Sequence, residues 1–160
     1  MMIGDYFVSA PPHWPVIRGD IVLLRAAGNT VSKRVVGLPG DTIAMLDGRL
    51  RIGSTVIPEP YATRDSADPT FPELGWQRFH LASGVDTASY RPTLHNWGPL
   101  VVPANQYFML GDNRSNSLDS RFFGFIPRDS IVGYPRTVYF SRDTASRTIR
   151  WERIGRSLSR

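Results

Sequence analysis

The sequence lacks cysteine, holds a single lysine, and contains no apolar run that approaches the roughly 20 residues needed to span a bilayer. Disulfide bonds, cysteine nucleophiles and cysteine-rich zinc sites are therefore excluded. The first segment also lacks the charged region followed by an apolar region that marks a secretion signal. We expect the chain as given to be soluble.

Helix signals are scarce too, because glycine and proline interrupt the chain throughout and no long segment has the apolar spacing of a helix face. Short apolar runs between turn residues predict strands instead. These runs are Ile21–Leu24, Val31–Gly37, Thr42–Leu46, Arg49–Ile52, Thr55–Ile57, Tyr107–Leu110, Val132–Tyr134, Val138–Ser141 and Thr148–Trp151. The pair Asp47-Gly48 between two runs is a hairpin signal. The predicted fold class is mainly β, with antiparallel sheets.

The length of 160 residues, with 41% hydrophobic and 21% charged residues, is typical of one globular domain, which we expect to cover 1–160. Within it, residues 58–99 contain scattered Pro, Asp, Ser and Thr and little periodicity. We expect an inserted, loop-rich lobe there.

The formal charge of +5 is concentrated at the end of the chain, where seven arginines between Pro135 and Arg160 face only Asp143 and Glu152. Such a basic segment suits anionic lipid or nucleic acid, and it is also typical of a solvated terminal strand. No aromatic and basic residues alternate as they do in nucleic-acid-binding motifs, so we expect no nucleic-acid partner.

The single lysine, Lys33, is the first candidate for chemistry, since the other 18 basic residues are arginines. A guanidinium keeps its proton in a protein, whereas a buried ammonium can lose it and then act as a base. Lowering a lysine pKa from about 10.4 to the 7–8 useful for a base costs roughly 3–5 kcal/mol. This requires an apolar pocket with no carboxylate close to the amine.

A second candidate region is the polar loop Gly111–Pro127, which follows the predicted strand Tyr107–Leu110. Its Asn, Ser and Asp side chains can close turns on their own backbone, and Asp119 can pair with Arg121. From these residues alone, a polar loop of this kind is more often structural than catalytic.

Together the two regions resemble the bacterial type I signal peptidase family. KRVVGLPGD begins at Lys33 and GDNRSNSLDSR begins at Gly111, and both match boxes of that family. Two shorter matches are Arg18-Gly19-Asp20-Ile21-Val22 and Ile3-Gly4-Asp5. The resemblance implies the sheet fold that this family shares with self-cleaving repressors of the DNA-damage response. Those repressors lack the Gly-Asp-Asn-Arg loop, so the signal peptidases match better.

The resemblance implies that Lys33 is the general base, that the Ser117 hydroxyl orients its amine, and that Asp119 and Arg121 brace the loop. Substrate would pair beside Val31 and Ser32, where Ser32 replaces the usual apolar residue. The further residues expected to support the site are Arg34, Asp112, Asn113, Arg114 and Asn116. The family needs no metal or cofactor, and the histidines His13, His80 and His95 have no ligand spacing, so we expect surface or packing roles for them.

The nucleophile is the main departure from the family pattern. A Ser-x-x-Pro-x-Leu box would precede Ile3-Gly4-Asp5 and therefore Met1, and Ser9 lies on the wrong side of that match. We expect the 160 residues to be inactive by themselves. We likewise expect the family's membrane anchor to lie outside these 160 residues.

The implied partners are signal peptides of exported preproteins and the outer surface of the bacterial cytoplasmic membrane. We expect Phe7 and Trp14, with Pro11, Pro12 and Pro15, to form an apolar edge that meets this membrane. The alternative function is a non-catalytic module that binds a peptide as an added edge strand.

Overall fold

The computed structural model describes residues 2–13, 15–26 and 28–158. The fold is mainly β. Its ten strands are β1 (Asp5–Ala10), β2 (Ile21–Ala26), β3 (Asn29–Gly37), β4 (Thr42–Leu46), β5 (Arg49–Ile52), β6 (Thr55–Val56), β7 (Trp97–Val101), β8 (Gln106–Leu110), β9 (Ile126–Pro127) and β10 (Ile131–Ser141). One short α-helix, α1, covers Ser120–Phe123, and 3₁₀ helices cover Pro72–His80, Arg114–Asn116, Arg128–Ser130 and Trp151–Arg153.

The chain forms two compact units, one up to Ser32 and from Asp129 onward, the other Lys33–Arg128. In the first unit the strand order is β1-β10-β2-β3. β1 runs antiparallel to β10 from the pair Asp5 and Ser141 to the pair Ala10 and Tyr134. Buried aliphatic residues on β2 and β10 form its core: Val22, Leu23, Leu24, Ile131 and Val138.

The second unit contains the order β3-β8-β9 and a four-stranded antiparallel sheet, β6-β5-β4-β7. Trp97 of β7 stacks on Phe108 of β8 with ring centroids 5.0 Å apart. Around these rings lie the buried residues Val36, Ile43, Met45, Leu50, Leu100, Val102 and Leu110. This core includes residues of β3 and of β8. The part of β3 from Lys33 onward belongs to this unit, and the polar loop follows β8.

The predicted mainly β class with antiparallel sheets is confirmed. The hairpin between β4 and β5 also forms as predicted, with φ of 48° at Asp47 and 70° at Gly48, the left-handed conformation of a two-residue turn. β3 ends at Gly37 and turns at once, with the Asp41 N–H bonded to the Leu38 carbonyl.

One strand prediction is wrong. Residues 148–151 make only an isolated bridge between Ile149 and Arg142, and a 3₁₀ helix begins at Trp151. The chain reverses direction at Arg147, where φ is 60°. Too few residues remain on either side of this turn to form a longer strand pair.

The sequence did not predict the strands β1, β7 and β9. Each is short, and β1 pairs with β10 more than 120 residues later, a contact without a local signal.

Residues 58–99 contain little regular structure besides the 3₁₀ helix Pro72–His80 and the start of β7. Leu74 and Leu94 are nonetheless buried there, as is Trp97. No helix in the described part of the chain is long and apolar enough to cross a membrane.

Candidate active site

Lys33 meets Ser117 in the second unit. The amine nitrogen of Lys33 lies 2.9 Å from the hydroxyl oxygen of Ser117, although 84 residues separate them in the sequence. β3 holds the lysine and the loop after β8 holds the serine, because Arg34 and Val35 pair with Leu110 and Met109. The predicted hydrogen bond is confirmed.

Burial lowers the pKa of the Lys33 amine below the ordinary lysine value. The negative charge of Asp119 raises this pKa, and the positive charge of Arg121 opposes that effect. Within the described residues no carboxylate forms an ion pair with the amine. The amine is therefore buried without an ion-pair partner, but the expected absence of a nearby carboxylate is not observed, because the charge of Asp119 acts on it.

Gly111 provides the space in which the serine and lysine meet. A Cβ atom at this position would lie 2.1 Å from the Ser117 hydroxyl oxygen and 3.7 Å from the Lys33 nitrogen. Even an alanine would therefore displace the serine side chain. The glycine of the predicted Gly-Asp-Asn box is required by this close approach.

Asp119 and Arg121 form the predicted ion pair, with both side chains fully shielded from solvent. The guanidinium of Arg121 donates two hydrogen bonds of 2.8 Å to the two carboxylate oxygens. The two residues do not lie on a strand. Asp119 is the N-cap of α1, accepting from the Arg121 N–H at 3.2 Å, and it also accepts from the Gly111 N–H at 3.1 Å. The pair thus fixes the loop on both sides of Ser117.

Arg34 and Asp112 form a second pair beside the lysine. Arg34 donates bonds of 2.8 and 2.7 Å to the two oxygens of Asp112, and its guanidinium lies 3.9 Å from the ring centroid of Tyr61. Lys33 and Arg34 thus follow each other on β3 but bind different partners. The alternation of side chains along a strand accounts for this.

Arg114 and Glu59 form a third pair, which is almost entirely buried. The guanidinium of Arg114 donates to both oxygens of Glu59, and its Nε donates to the Gly111 carbonyl at 3.0 Å. Arg121 donates to the Arg114 carbonyl at 2.7 Å. Residues 58–61 are thereby tied to the polar loop.

Glu59 and Tyr61 were not predicted as site residues, because both lie in the segment 58–99 that was expected to be a loop-rich lobe. One signal was available: a buried arginine needs a carboxylate, and Glu59 stands between two prolines that restrict the backbone.

Among the described residues, four others predicted for the site form no side-chain hydrogen bond with Lys33. Asn113 and Asn116 are exposed at either end of a 3₁₀ helix, where they shape the loop backbone. Val31 and Ser32 lie half-buried just before Lys33 on β3. Their roles remain predictions.

Each histidine has partners of its own. The ring of His13 packs against Tyr134 at a tilt, His80 packs against Trp76 and Phe125, and His95 is buried with its Nδ1 3.9 Å from an Asp68 oxygen. Among the described residues no three metal-ligating side chains come together.

A half-buried lysine held by a serine and backed by a buried Asp-Arg pair is the arrangement that the resemblance implied. The sequence profile of the family described as signal peptidase, peptidase S26 matches residues 2–140. The chain belongs to the signal peptidase family.

Relatives within this signal peptidase family include signal peptidase I S of Bacillus subtilis, 34% identical over 124 residues, which are 77% of this chain and 59% of the relative. Signal peptidase I of Leptolyngbya laminosa is 31% identical over 129 residues, 74% of this chain and 50% of the relative. The chain thus spans half to three fifths of these relatives. A crystal structure of a signal peptidase I from Enterococcus faecalis matches with a TM-score of 0.51 and 31% identity, covering 76% of this chain and 97% of that one.

Proposed function

We propose that this chain is the catalytic part of a type I signal peptidase, an endopeptidase that removes signal peptides from exported preproteins. The observation that carries the proposal is the 2.9 Å contact between the half-buried Lys33 amine and the Ser117 hydroxyl. Family membership supports it independently.

In the proposed reaction, neutral Lys33 takes the proton of a serine hydroxyl while that oxygen attacks the scissile carbonyl. The protonated lysine then gives its proton to the leaving amine, which produces an acyl-enzyme and the free mature chain. Water then attacks the acyl carbonyl while Lys33 takes its proton. The serine ester bond breaks, Lys33 returns the proton to the serine oxygen, and the signal peptide leaves with a new carboxyl group, so the enzyme is unchanged. Ser117 holds the amine in place, and the mechanism uses no metal or cofactor.

We propose that the attacking serine comes from a Ser-x-x-Pro-x-Leu segment preceding Ile3-Gly4-Asp5, as in the family pattern. The 160 residues alone then show no cleavage, since losing a serine protease nucleophile costs on the order of a million-fold in turnover. They can still bind a peptide along β3 beside Val31 and Ser32.

The test uses the 160 residues with and without this added segment, and a peptide substrate with a small residue before the cut. We expect cleavage only with the segment, at a rate that rises with pH as Lys33 loses its proton. Lys33→Arg in the longer protein should remove activity, because arginine stays charged. Ser117→Ala should lower kcat by roughly 10- to 100-fold, since the amine loses its hydrogen-bond partner but remains present.

Two results would contradict the proposal. A Lys33→Arg protein with undiminished activity would exclude the lysine as base. Lys33-dependent cleavage by the 160 residues alone would exclude an added nucleophile, and Ser117, whose hydroxyl already contacts the amine, would become the attacking group.

We propose further that the protein works at the outer surface of the bacterial cytoplasmic membrane. Pro11, Pro12 and Pro15 are exposed, whereas Phe7 is half-buried and Trp14 lies outside the described residues. On β1, Tyr6 and Val8 are exposed instead of Phe7, so they extend the proposed edge.

Tryptophan fluorescence should shift when anionic vesicles are added, and Trp14→Ala should reduce the shift. An unchanged spectrum of the wild-type protein would contradict membrane contact through this edge.

A further inference from the structure

The second unit holds a cavity that none of the functions proposed so far uses. Its volume is about 470 Å³, and one wall is formed by Ser117, whose hydroxyl binds the Lys33 amine. The other lining residues are Phe71, Glu73, Leu94, Ser115, Asn116, Leu118, Phe122 and Phe123. Ser117 is therefore shared between the cavity wall and the hydrogen bond to the candidate base.

The walls of the cavity are mainly aromatic and aliphatic. Leu118 and Phe123 are 63% and 62% exposed. Phe71 packs edge-on against Phe122, with ring centroids 5.5 Å apart. Ring faces and methylene surfaces of this kind accept the stem of a long side chain and attract a cation.

Glu73 is the only charged residue that lines the cavity. Its side chain is exposed, and within the described residues no arginine or lysine forms an ion pair with it. By contrast, Glu59, Asp112 and Asp119 of the same unit each bind an arginine. A carboxylate without a cation, beside aromatic rings, complements a basic side chain.

We propose that this cavity binds an arginine or lysine side chain of the substrate, in the segment that follows the cleaved bond. The inference rests on the proposed function, in which the residues before the bond lie along β3 up to Ser32. Lys33 and its partner Ser117 are then next to the bond, and the chain leaving the site meets the cavity wall. The basic side chain packs its stem on Leu118 and Phe123 and places its charge near Glu73.

The test measures binding of a fluorescein-labelled pentapeptide with a central Arg between Gly and Ser residues, and of a matched peptide with Gln in its place. We expect the wild-type chain to prefer the Arg peptide by roughly fivefold, the effect of one partly exposed charge pair with a cation–π contribution. Glu73→Gln should bring that preference close to one. Phe123→Ala should weaken binding of the Arg peptide by roughly two- to fivefold.

Two exposed residues of the same unit provide matched controls. Asp47→Asn removes one negative charge at a turn outside the cavity, and Phe79→Ala removes a ring that is 86% exposed and does not line it. Both should bind the two peptides as the wild type does. Equal affinity of the wild type for both peptides, or equal effects of Glu73→Gln and Asp47→Asn, would overturn the proposal.

The single lysine separates this proposal from the function on which it rests. In protein labelled with ¹³C-lysine, Lys33 gives one side-chain signal, and the Arg peptide should move it because Ser117 contacts both the cavity and the amine. A Lys33 signal that titrates at the ordinary lysine pKa would remove the base and leave the cavity proposal standing. A lowered Lys33 pKa with no preference for the Arg peptide would overturn the cavity proposal and leave the lysine base standing.

Discussion

Two buried polar clusters, one in each unit, use a basic residue in opposite ways. In the first unit Arg153 donates to both oxygens of Asp5, whose side chain is fully shielded from solvent. Asp5 also accepts bonds of 2.7 Å from the Ser141 hydroxyl and 2.8 Å from the Met2 N–H. In the second unit Lys33 has a hydroxyl, not a carboxylate, as its partner.

The pKa shifts follow from these partners. Burial by itself would raise the pKa of Asp5, but the bonds from Arg153, Ser141 and Met2 outweigh it and hold that pKa well below its usual range. The bond to Asp5 raises the pKa of Arg153. Burial dominates at Lys33 and lowers its pKa. A basic residue beside a carboxylate keeps its charge and stabilises the fold, whereas one beside a hydroxyl is prepared to lose its proton.

The largest expected effect comes from giving Lys33 a carboxylate. Ser117→Asp should raise the pKa of the amine above its present value and convert the site into an ion pair like Asp5 with Arg153. In the longer, cleaving protein the rate at neutral pH should fall by roughly a thousandfold or more, about tenfold for each unit of pKa in addition to the lost serine. The ¹³C-lysine titration measures the pKa directly.

Ser117→Asn is the control, since it changes the shape in a similar way without the charge. If Ser117→Asp and Ser117→Asn give the same Lys33 titration, the identity of the partner does not determine the charge state of the lysine.

The next largest effect is expected when a buried arginine loses its carboxylate partner. Asp119→Ala leaves Arg121 fully buried without its carboxylate and should lower the free energy of unfolding by about 3–5 kcal/mol. Asp112→Ala removes a carboxylate that is 33% exposed, and the expected loss is about 1 kcal/mol. Urea unfolding measures both variants. Equal losses would show that shielding from solvent does not distinguish these pairs.

A smaller effect is expected from Gly111→Ala, which forces Ser117 away from its present position. The strain should cost about 1–3 kcal/mol and should change the Lys33 titration, since the amine loses its partner. Gly75→Ala is the matched control, because a Cβ atom there meets nothing within 4 Å. A Gly111→Ala protein with an unchanged Lys33 signal would mean that Ser117 does not control the amine.

The smallest effect is the pH dependence of stability. The pKa of Lys33 is lower in the folded protein than in the unfolded chain, so between the two values the unfolded chain binds more protons and stability rises with pH. Below the pKa that Lys33 has in the folded protein, the side chain is charged while buried, which lowers the free energy of unfolding.

Lys33→Met should therefore be more stable than the wild type near about pH 6, and the difference should shrink near about pH 10. Asp5 also makes stability rise with pH, but in an acidic range, because its stabilisation is present above about pH 4 and is lost as the pH falls. Urea unfolding across both pH ranges measures the two effects, with Lys33→Met compared for the lysine and Asp5→Asn as the reference variant for the aspartate. A difference between Lys33→Met and wild type that grows with pH would contradict the lowered lysine pKa.

Much of the site was predictable because its chemistry and its turns are local in sequence. A single lysine among arginines identifies the base candidate, and the spacing of Asp119 and Arg121 allowed their pairing, whereas only the resemblance to the signal peptidase family implied the role of Ser117. Glu59 was not predictable in the same way, because its partner Arg114 lies 55 residues away and nothing adjacent to Glu59 indicates burial. The strand β1 was missed for a similar reason, since its hydrogen bonds come from β10.

The sequence by itself determined the backbone turns and the available chemistry: the left-handed turn at Asp47 and Gly48, the strand that carries Lys33, and the absence of any other lysine. Only the tertiary structure decided the direction in which the pKa of that lysine shifts. Its pKa depends on which groups lie near the amine, and the fold places the Ser117 hydroxyl at 2.9 Å while the nearby carboxylate of Asp119 is bound by Arg121. Electrostatic energy depends on distance in space and on shielding from water, and neither follows from separation along the chain.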